Sequence, residues 1–110
     1  MKLAVIGSRN LTSVDLESYI SKEVNEIVSG GAVGVDTCAA EYASREGLKL
    51  TEFLPEYKLY GRAAPIVRNK LIVDYADKVL VFWNGSSKGT PSVIRYAQKV
   101  GKPCEIVICK

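Results

Sequence analysis

The sequence predicts a single α/β domain with a mostly parallel sheet of about five strands and helices on both faces. Apolar segments of strand length alternate about five times with segments of helical spacing, and no internal repeat is present. The stretch Asp77–Trp83 carries an almost unbroken apolar run, which is typical of a strand buried on both faces of a parallel sheet. A chain of 110 residues fits one domain, 1–110.

Composition excludes several function classes. With 47% hydrophobic and 25% charged residues, it is ordinary for a soluble globular protein, and the net charge of +3 is too scattered to indicate nucleic-acid binding. The absence of histidine excludes Ser-His-Asp catalysis and histidine metal sites, and no metal site is predicted. Three cysteines without C-x-x-C spacing favour a reducing compartment, and the apolar N-terminus is too short for a signal peptide or membrane span. The expected location is cytoplasmic.

The first half of the chain gives two helices and three strands. A helix is expected after the first strand because apolar residues from Val14 to Ile27 recur at helical spacing, with Thr12 or Ser13 available as the cap. Gly47 suits a helix C-terminus, and Pro55 ends the third, more exposed strand. The predicted elements are strand Lys2–Ile6, a helix from about Ser13 to Lys22–Asn25, strand Glu26–Val28, helix Thr37–Glu46 and strand Leu48–Leu54.

The second half begins with Glu56–Ala64, which is predicted to be the only long irregular connection. Pro65 and Pro91 each fit the first turn of a helix, where the missing N–H is not needed. The first of these helices is expected to pack through Ile66, Val67, Leu71, Ile72 and Tyr75. The second helix ends at Gly101, and the last strand is Glu105–Cys109.

The most informative stretch is Ser29-Gly30-Gly31-Ala32-Val33-Gly34-Val35-Asp36, between a strand and a helix. Its glycines permit a sharp turn and close approach, and the helix start presents unpaired N–H groups at the positive end of a dipole. Such a turn is an anion site, most often for phosphate, or else a tight turn without a ligand. The spacing is neither the dinucleotide G-x-G-x-x-G pattern nor a Walker A loop.

Two further loops share this chemistry, since Gly7-Ser8-Arg9 follows the first strand and Gly85-Ser86 with Lys88-Gly89-Thr90 follows the fourth. Loops after parallel strands lie along one edge of the sheet, where ligands bind at the point of reversed strand order. The convergence of the three loops therefore predicts a ligand site at the carboxyl edge.

Several single residues have two interpretations. Arg68 and Asn69 are expected near the start of their helix rather than deep in the core, and an arginine there indicates an anionic partner or a surface salt bridge. Asp36 either stabilises the helix dipole or caps the turn, or it accepts a hydrogen bond from a ribose hydroxyl. Trp83 either stacks on a base or ends a buried strand.

These residues together resemble the SLOG superfamily, and within it the YspA/YpsA-related branch, over essentially the whole chain. The resemblance is carried by Gly7-Ser8-Arg9, Ser29-Gly30-Gly31-Ala32, Gly34-Val35-Asp36, Arg68-Asn69, Ala76-Asp77, Gly85-Ser86 and Lys88-Gly89-Thr90. It implies a three-layer, Rossmann-like fold that binds a nucleotide or nucleotide-derived molecule as a sensor, carrier or processing domain. Relatives commonly pair through helices, so a homodimer is expected. No cofactor is identified beyond such a nucleotide ligand.

The chain departs from the enzymatic relatives, the cytokinin-activating phosphoribohydrolases. Their catalytic arginine corresponds to Arg68, but their glutamate, three residues after the threonine, corresponds to Val93, which cannot transfer a proton. Catalysis is therefore uncertain, and the candidates are Arg68 and Asp36, with Asp74 as another carboxylate. A DNA-binding module is a second alternative, through the resemblance to DNA-processing protein A, although that family's histidine is Ala40 here.

The predicted ligand-binding residues come from all three loops and from the helix that follows the third strand. They are Gly7, Ser8, Arg9, Gly30, Gly31, Ala32, Gly34, Val35, Asp36, Arg68, Asn69, Trp83, Gly85, Ser86, Gly89 and Thr90.

Overall fold

The computed structural model describes residues 1–86 and 89–109 and shows five parallel strands in one sheet. Strand order is β3-β2-β1-β4-β5, so the chain extends the sheet from β1 first in one direction and then in the other. The strands are β1 Lys2–Gly7, β2 Glu26–Ser29, β3 Lys49–Glu52, β4 Lys78–Trp83 and β5 Cys104–Ile108. The helices are α1 Val35–Glu46, α2 Tyr57–Tyr60, α3 Ala64–Tyr75 and α4 Thr90–Lys99, with a 3₁₀ turn Gly61–Ala63. This α/β architecture with a parallel sheet is Rossmann-like, as predicted.

The central strands are buried on both faces because helical and irregular segments cover the sheet on each side. β1 and β4 pair in register from Leu3 opposite Lys78 to Gly7 opposite Phe82. One face holds α1 and the connection between β1 and β2, and the other holds α3 and α4. The two edge strands, β3 and β5, remain partly exposed, and β3 has a polar sequence that fits this position.

The helix predicted from about Ser13 is wrong, since residues 11–25 contain only two short turns, at 17–19 and 22–23. Asp15 accepts hydrogen bonds from the N–H and hydroxyl of Ser18, and the N–H of Ile20 donates to the Leu16 carbonyl at 3.0 Å. These turns do not propagate into a helix, because serine, threonine, asparagine and β-branched residues dominate the segment and favour local bonds. Leu16 and Val24 are nevertheless buried against the sheet.

The connection predicted as irregular, Glu56–Ala64, is also corrected, because it contains α2 and the 3₁₀ turn. The long irregular connection of the chain is instead the one between β1 and β2. Helix α3 begins where Pro65 predicts, but two of its expected packing residues, Ile66 and Leu71, are about half exposed. Ile72 and Val73 supply the buried contacts on this helix together with Arg68.

The order of the strands places the point of reversal between β1 and β4. Their carboxyl ends, at Gly7 and Trp83, open onto a shared crevice, because the connections from β1 and β4 lead away in opposite directions. Within the described ranges, no helix has the length and apolar character that crossing a membrane requires.

Candidate functional site

A cavity of about 490 Å³ lies at the carboxyl edge of the sheet, above the point of reversed strand order. The loops after β1, β2 and β4 all reach it, and the first turns of α3 and α4 complete its wall. Its lining residues are Ile6, Gly7, Arg9, Asn10, Gly30, Ala32, Asp36, Pro65, Arg68, Asn69, Ile72, Asn84, Ser86, Gly89, Thr90 and Val93.

Arg68 is the central charged group of this wall. Only 8% of the residue is exposed, although the sequence places it near a helix start and away from the core. Its Nη1 donates to the Gly30 carbonyl at 2.9 Å, and its Nε donates to Asn69 Oδ1 at 2.8 Å. Burial lowers the pKa of Arg68, and the nearby Asp36 carboxylate opposes that shift. The guanidinium is therefore a buried cation held in a fixed orientation by two oxygen acceptors.

Gly30 is a glycine because Arg68 lies against it. A Cβ at this position would lie 2.6 Å from Arg68 Nη1 and 3.1 Å from Asp36 Oδ2. Any side chain would displace the guanidinium from the Gly30 carbonyl. The glycine thus serves the placement of an arginine that is 38 residues further along the chain.

Asp36 stands in the first turn of α1 and is also 8% exposed. Its Oδ2 accepts a hydrogen bond from the Ala32 N–H at 3.1 Å. Burial raises the pKa of Asp36, against the opposing effects of the Ala32 and Gly30 amides and of Arg68. Its partners therefore offset only part of the cost of burying this charge.

Two amides of the glycine-rich turn before α1 are bonded within the protein, so the anion expected on this turn would not have them as donors. The N–H of Gly31 donates to Ser29 Oγ at 3.2 Å, and the N–H of Ala32 is held by Asp36. The carboxylate of Asp36 thus takes the place that an external anion would occupy. Of the two interpretations of Asp36, capping the turn is the one that this bond matches.

Two other glycines of these loops allow close packing between α1 and β1. A Cβ on Gly7 would lie 2.4 Å from Val35 Cγ2, and one on Gly34 would lie 2.4 Å from the Arg9 carbonyl oxygen. Gly34 also has a φ of 80°, which side chains rarely adopt. Val35 is fully buried in the core, so it packs α1 against the sheet and does not line the cavity.

Polar side chains tie the loop after β1 to the loop after β4. Ser8 is buried, its N–H donates to the Phe82 carbonyl at 3.1 Å, and its Oγ accepts from the Asn84 N–H at 3.2 Å. Asn84 Nδ2 in turn donates to Asn10 Oδ1 at 2.8 Å, and Asn84 Oδ1 accepts from the Ser86 N–H at 2.9 Å. These bonds fix the floor of the crevice.

The loop before α4 faces the cavity through Ser86, Gly89 and Thr90. The first turn of α4 contains no acidic residue, in contrast to α1. Val93, at the position where the resemblance would place a glutamate, is buried and lies in the cavity wall. Lys88, which the sequence groups with this loop, lies outside the described residues.

The structure brings most of the predicted residues together around one cavity. Those that line it are Gly7, Arg9, Gly30, Ala32, Asp36, Arg68, Asn69, Ser86, Gly89 and Thr90. Those that do not line it are Ser8, Gly31, Gly34, Val35, Trp83 and Gly85. Trp83 is half-buried and packs against the core on the α3 and α4 face.

The sequence interpretation missed six lining residues, namely Ile6, Asn10, Pro65, Ile72, Asn84 and Val93. Asn10 and Asn84 had a usable signal, since each follows the end of a strand at the carboxyl edge. In the part of the chain that the structure describes, no group of three acidic or cysteine side chains is placed to hold a metal ion.

The fold and this cavity define a Rossmann-like α/β domain with a ligand-sized crevice of mixed polar and apolar lining at its carboxyl edge. No family model matches the chain. The chain is similar to the Gene 61 protein of Mycobacterium phage D29, with 36% identity over 83 residues, which cover 70% of this chain and 66% of the phage protein. The match thus spans just under two thirds of that relative's length.

Proposed function

We propose that this protein binds a nucleotide or nucleotide-derived small molecule in the crevice, as a sensor, carrier or processing domain. The observation that carries the proposal is the buried Arg68 in the wall of a cavity at the point of reversed strand order. A volume of about 490 Å³ is within the usual range of small-molecule sites.

The charges around the cavity support an anionic ligand. Arg9 and Arg68 are the cations of the described wall, and Asp36 is its one carboxylate. That single carboxylate also accepts a hydrogen bond from the Ala32 amide, so it offsets only part of the positive charge of the two guanidinium groups. Helices α3 and α4 both start at the cavity without an acidic residue in their first turns, so their dipoles add to the positive potential.

A nucleotide phosphate fits best beside the start of α4, opposite Arg68. Ser86, Gly89 and Thr90 are there, and the turn before α1 is closed by Asp36. The ribose and base then extend toward Arg9 and the turn at Gly30–Ala32.

Hydrolysis of the N-glycosidic bond is a second candidate, favoured by the location of Arg68 and Asp36 in one wall. Burial raises the pKa of Asp36, which is the direction that a proton donor requires. Asp74 does not line the cavity and is bonded to the Tyr96 hydroxyl at 2.8 Å, so it is not a candidate acid. Release of free base from a nucleoside monophosphate, lost in Asp36→Asn, tests this candidate.

Thermal-shift titration with the four ribonucleoside 5′-monophosphates tests the binding proposal. A ligand at one hundred times its dissociation constant stabilises the fold by about 2.7 kcal/mol. Arg9→Ala removes an exposed cation from the wall and should weaken binding about tenfold, whereas Arg95→Ala, an exposed arginine outside the wall, is the control. Equal binding by these two variants, or no stabilisation by any nucleotide, would contradict the proposal.

A further inference from the structure

A second, smaller hollow adjoins the cavity on the side of β2 and β3. It has a volume of about 280 Å³, and four of its residues, Arg9, Gly30, Ala32 and Arg68, also line the cavity. Its remaining residues are Gly31, Val33, Leu54 and Pro55. The volume is below the usual size of an independent ligand site, so the hollow is an extension of the cavity.

The far wall of this hollow is apolar. Val33 is 64% exposed and Leu54 is 63% exposed, and Pro55 lies beside them. A Cβ on Gly31 would lie 2.5 Å from Leu54 Cδ2, so the absence of a side chain at Gly31 allows Leu54 to lie across this turn. The hollow therefore has an apolar side and, at its junction with the cavity, two guanidinium groups.

Four backbone groups of this hollow are already bonded within the protein. The Gly31 and Ala32 N–H groups donate to Ser29 and Asp36, the Gly30 carbonyl accepts from Arg68, and the Ala32 carbonyl accepts from the Thr37 hydroxyl at 3.3 Å. No serine, threonine, asparagine or glutamine is among the hollow's described lining residues. A base seated there would be held by apolar contact and by the planes of the two arginines.

We infer that this hollow holds the base of the nucleotide through apolar and stacking contacts, and that the protein therefore discriminates little between bases. The inference rests on the proposed nucleotide binding and specifies which part of the ligand the apolar side recognises. A neighbouring hollow, between β3 and α3, shares Leu54 and Arg68 with this one but lacks Arg9 and Val33, and its Glu52 and Glu56 would repel a phosphorylated ligand.

A comparison of two ligands, one with a base and one without, tests the inference. Adenosine 5′-monophosphate should bind about tenfold tighter than ribose 5-phosphate, which lacks the base, because one stacked base contributes about that factor. The four ribonucleoside monophosphates should bind within about tenfold of one another, since every base has an apolar face.

Leu54→Ser and Val33→Ser should each reduce the affinity for adenosine 5′-monophosphate by about tenfold and leave that for ribose 5-phosphate unchanged. Both side chains are exposed, so the fold is not at risk. Leu59→Ser is the matched control, because Leu59 is 65% exposed and lines neither the hollow nor the cavity.

Three results would overturn the inference, and they differ in what they say about the proposed function. If binding depends on Arg9 but not on Leu54, the nucleotide proposal holds and the base lies elsewhere. If no nucleotide binds at all, both proposals fail. If Leu54→Ser leaves affinity unchanged but converts a dimer to a monomer by light scattering, a second copy of the chain covers the hollow.

Discussion

Two glycine-bearing loops precede helices at the carboxyl edge of the sheet, and they differ in how their charge is balanced. In the loop before α1, Asp36 accepts a hydrogen bond from the Ala32 N–H, and Gly31 donates to Ser29. In the loop before α4, the first helical turn has no acidic residue, and Ser86, Gly89 and Thr90 line the cavity. Both loops line the cavity, but the first carries a carboxylate that is bonded to one of its own amides, whereas the first helical turn after the second loop has no acidic residue.

The difference teaches that a glycine turn between strand and helix predicts backbone geometry but not anion binding. We expect an acidic residue within the first helical turn to weaken anion binding, because the protein's own carboxylate then competes for the same amides. The glycines of the first loop have packing roles, with Gly34 against the Arg9 backbone and Gly30 against the Arg68 side chain.

The largest expected effect is a loss of stability, and it is tested by substituting one glycine in each loop. Gly34 and Gly85 have nearly equal φ values of 80° and 86°, but a Cβ on Gly34 would lie 2.4 Å from the Arg9 carbonyl oxygen, whereas no described atom lies within 4 Å of one on Gly85. Gly34→Ala should reduce the free energy of unfolding by about 3 kcal/mol through strain and overlap. Gly85→Ala should cost about 1 kcal/mol through strain alone. Urea unfolding measures both, and equal losses would show that the first loop is no more tightly packed than the last.

The next largest expected effect is on nucleotide affinity, and it is tested by placing an acidic residue in the last loop, as the first loop has in Asp36. Gly89→Asp places a negative charge beside α4, where a Cβ meets no described atom within 4 Å. We expect nucleotide affinity to fall by about tenfold through repulsion of the phosphate. The free energy of unfolding should rise by about 0.5 kcal/mol, because the charge is favourable at a helix start.

Gly89→Asn is the control for that substitution, since it has nearly the same shape without the charge. It should leave nucleotide affinity close to that of the wild type. If the aspartate and asparagine variants bind equally well, the phosphate does not lie beside α4, and the contrast between the loops has no bearing on the ligand.

The sequence predicted much of the fold because its strongest signals are local. The apolar run of β4 and the prolines at the starts of α3 and α4 each act within a few residues, and all three elements are found as predicted. The carboxyl-edge site followed from topology, since any parallel sheet gathers the loops after its strands along one edge.

The errors arose where tertiary contacts outweighed local pattern. The apolar residues between Val14 and Val24 do include buried ones, but periodicity reports burial and does not require a helix when the segment is poor in helix formers. The burial of Arg68 was not predictable, because its acceptor is a carbonyl from a turn 38 residues away. The closure of the first loop was likewise hidden, since it depends on the orientation of one carboxylate.

The smallest effect that we predict is the pH dependence of stability that arises from the Asp36 carboxylate. Because burial raises the pKa of Asp36 above its ordinary value of 3.8, the folded state binds the proton more tightly than the unfolded state does. The contribution of Asp36 to stability therefore declines as pH rises from 3.8 to the raised pKa and is constant above it. Asp36→Asn does not titrate, so its free energy of unfolding relative to wild type should increase across that window.

Asp77→Asn provides a control of opposite sign in the same urea-unfolding measurements. The Lys2 N–H donates to Asp77 at 2.8 Å and lowers its pKa, so the stability that Asp77 contributes is lost as pH falls below its ordinary value of 3.8. The stability of Asp77→Asn relative to wild type should therefore decrease as pH rises, whereas that of Asp36→Asn increases. If both differences decrease, the amides of the first loop stabilise the Asp36 carboxylate by more than its burial costs. The first loop would then be a fully satisfied cap, and the raised pKa could not be used to support Asp36 as a proton donor.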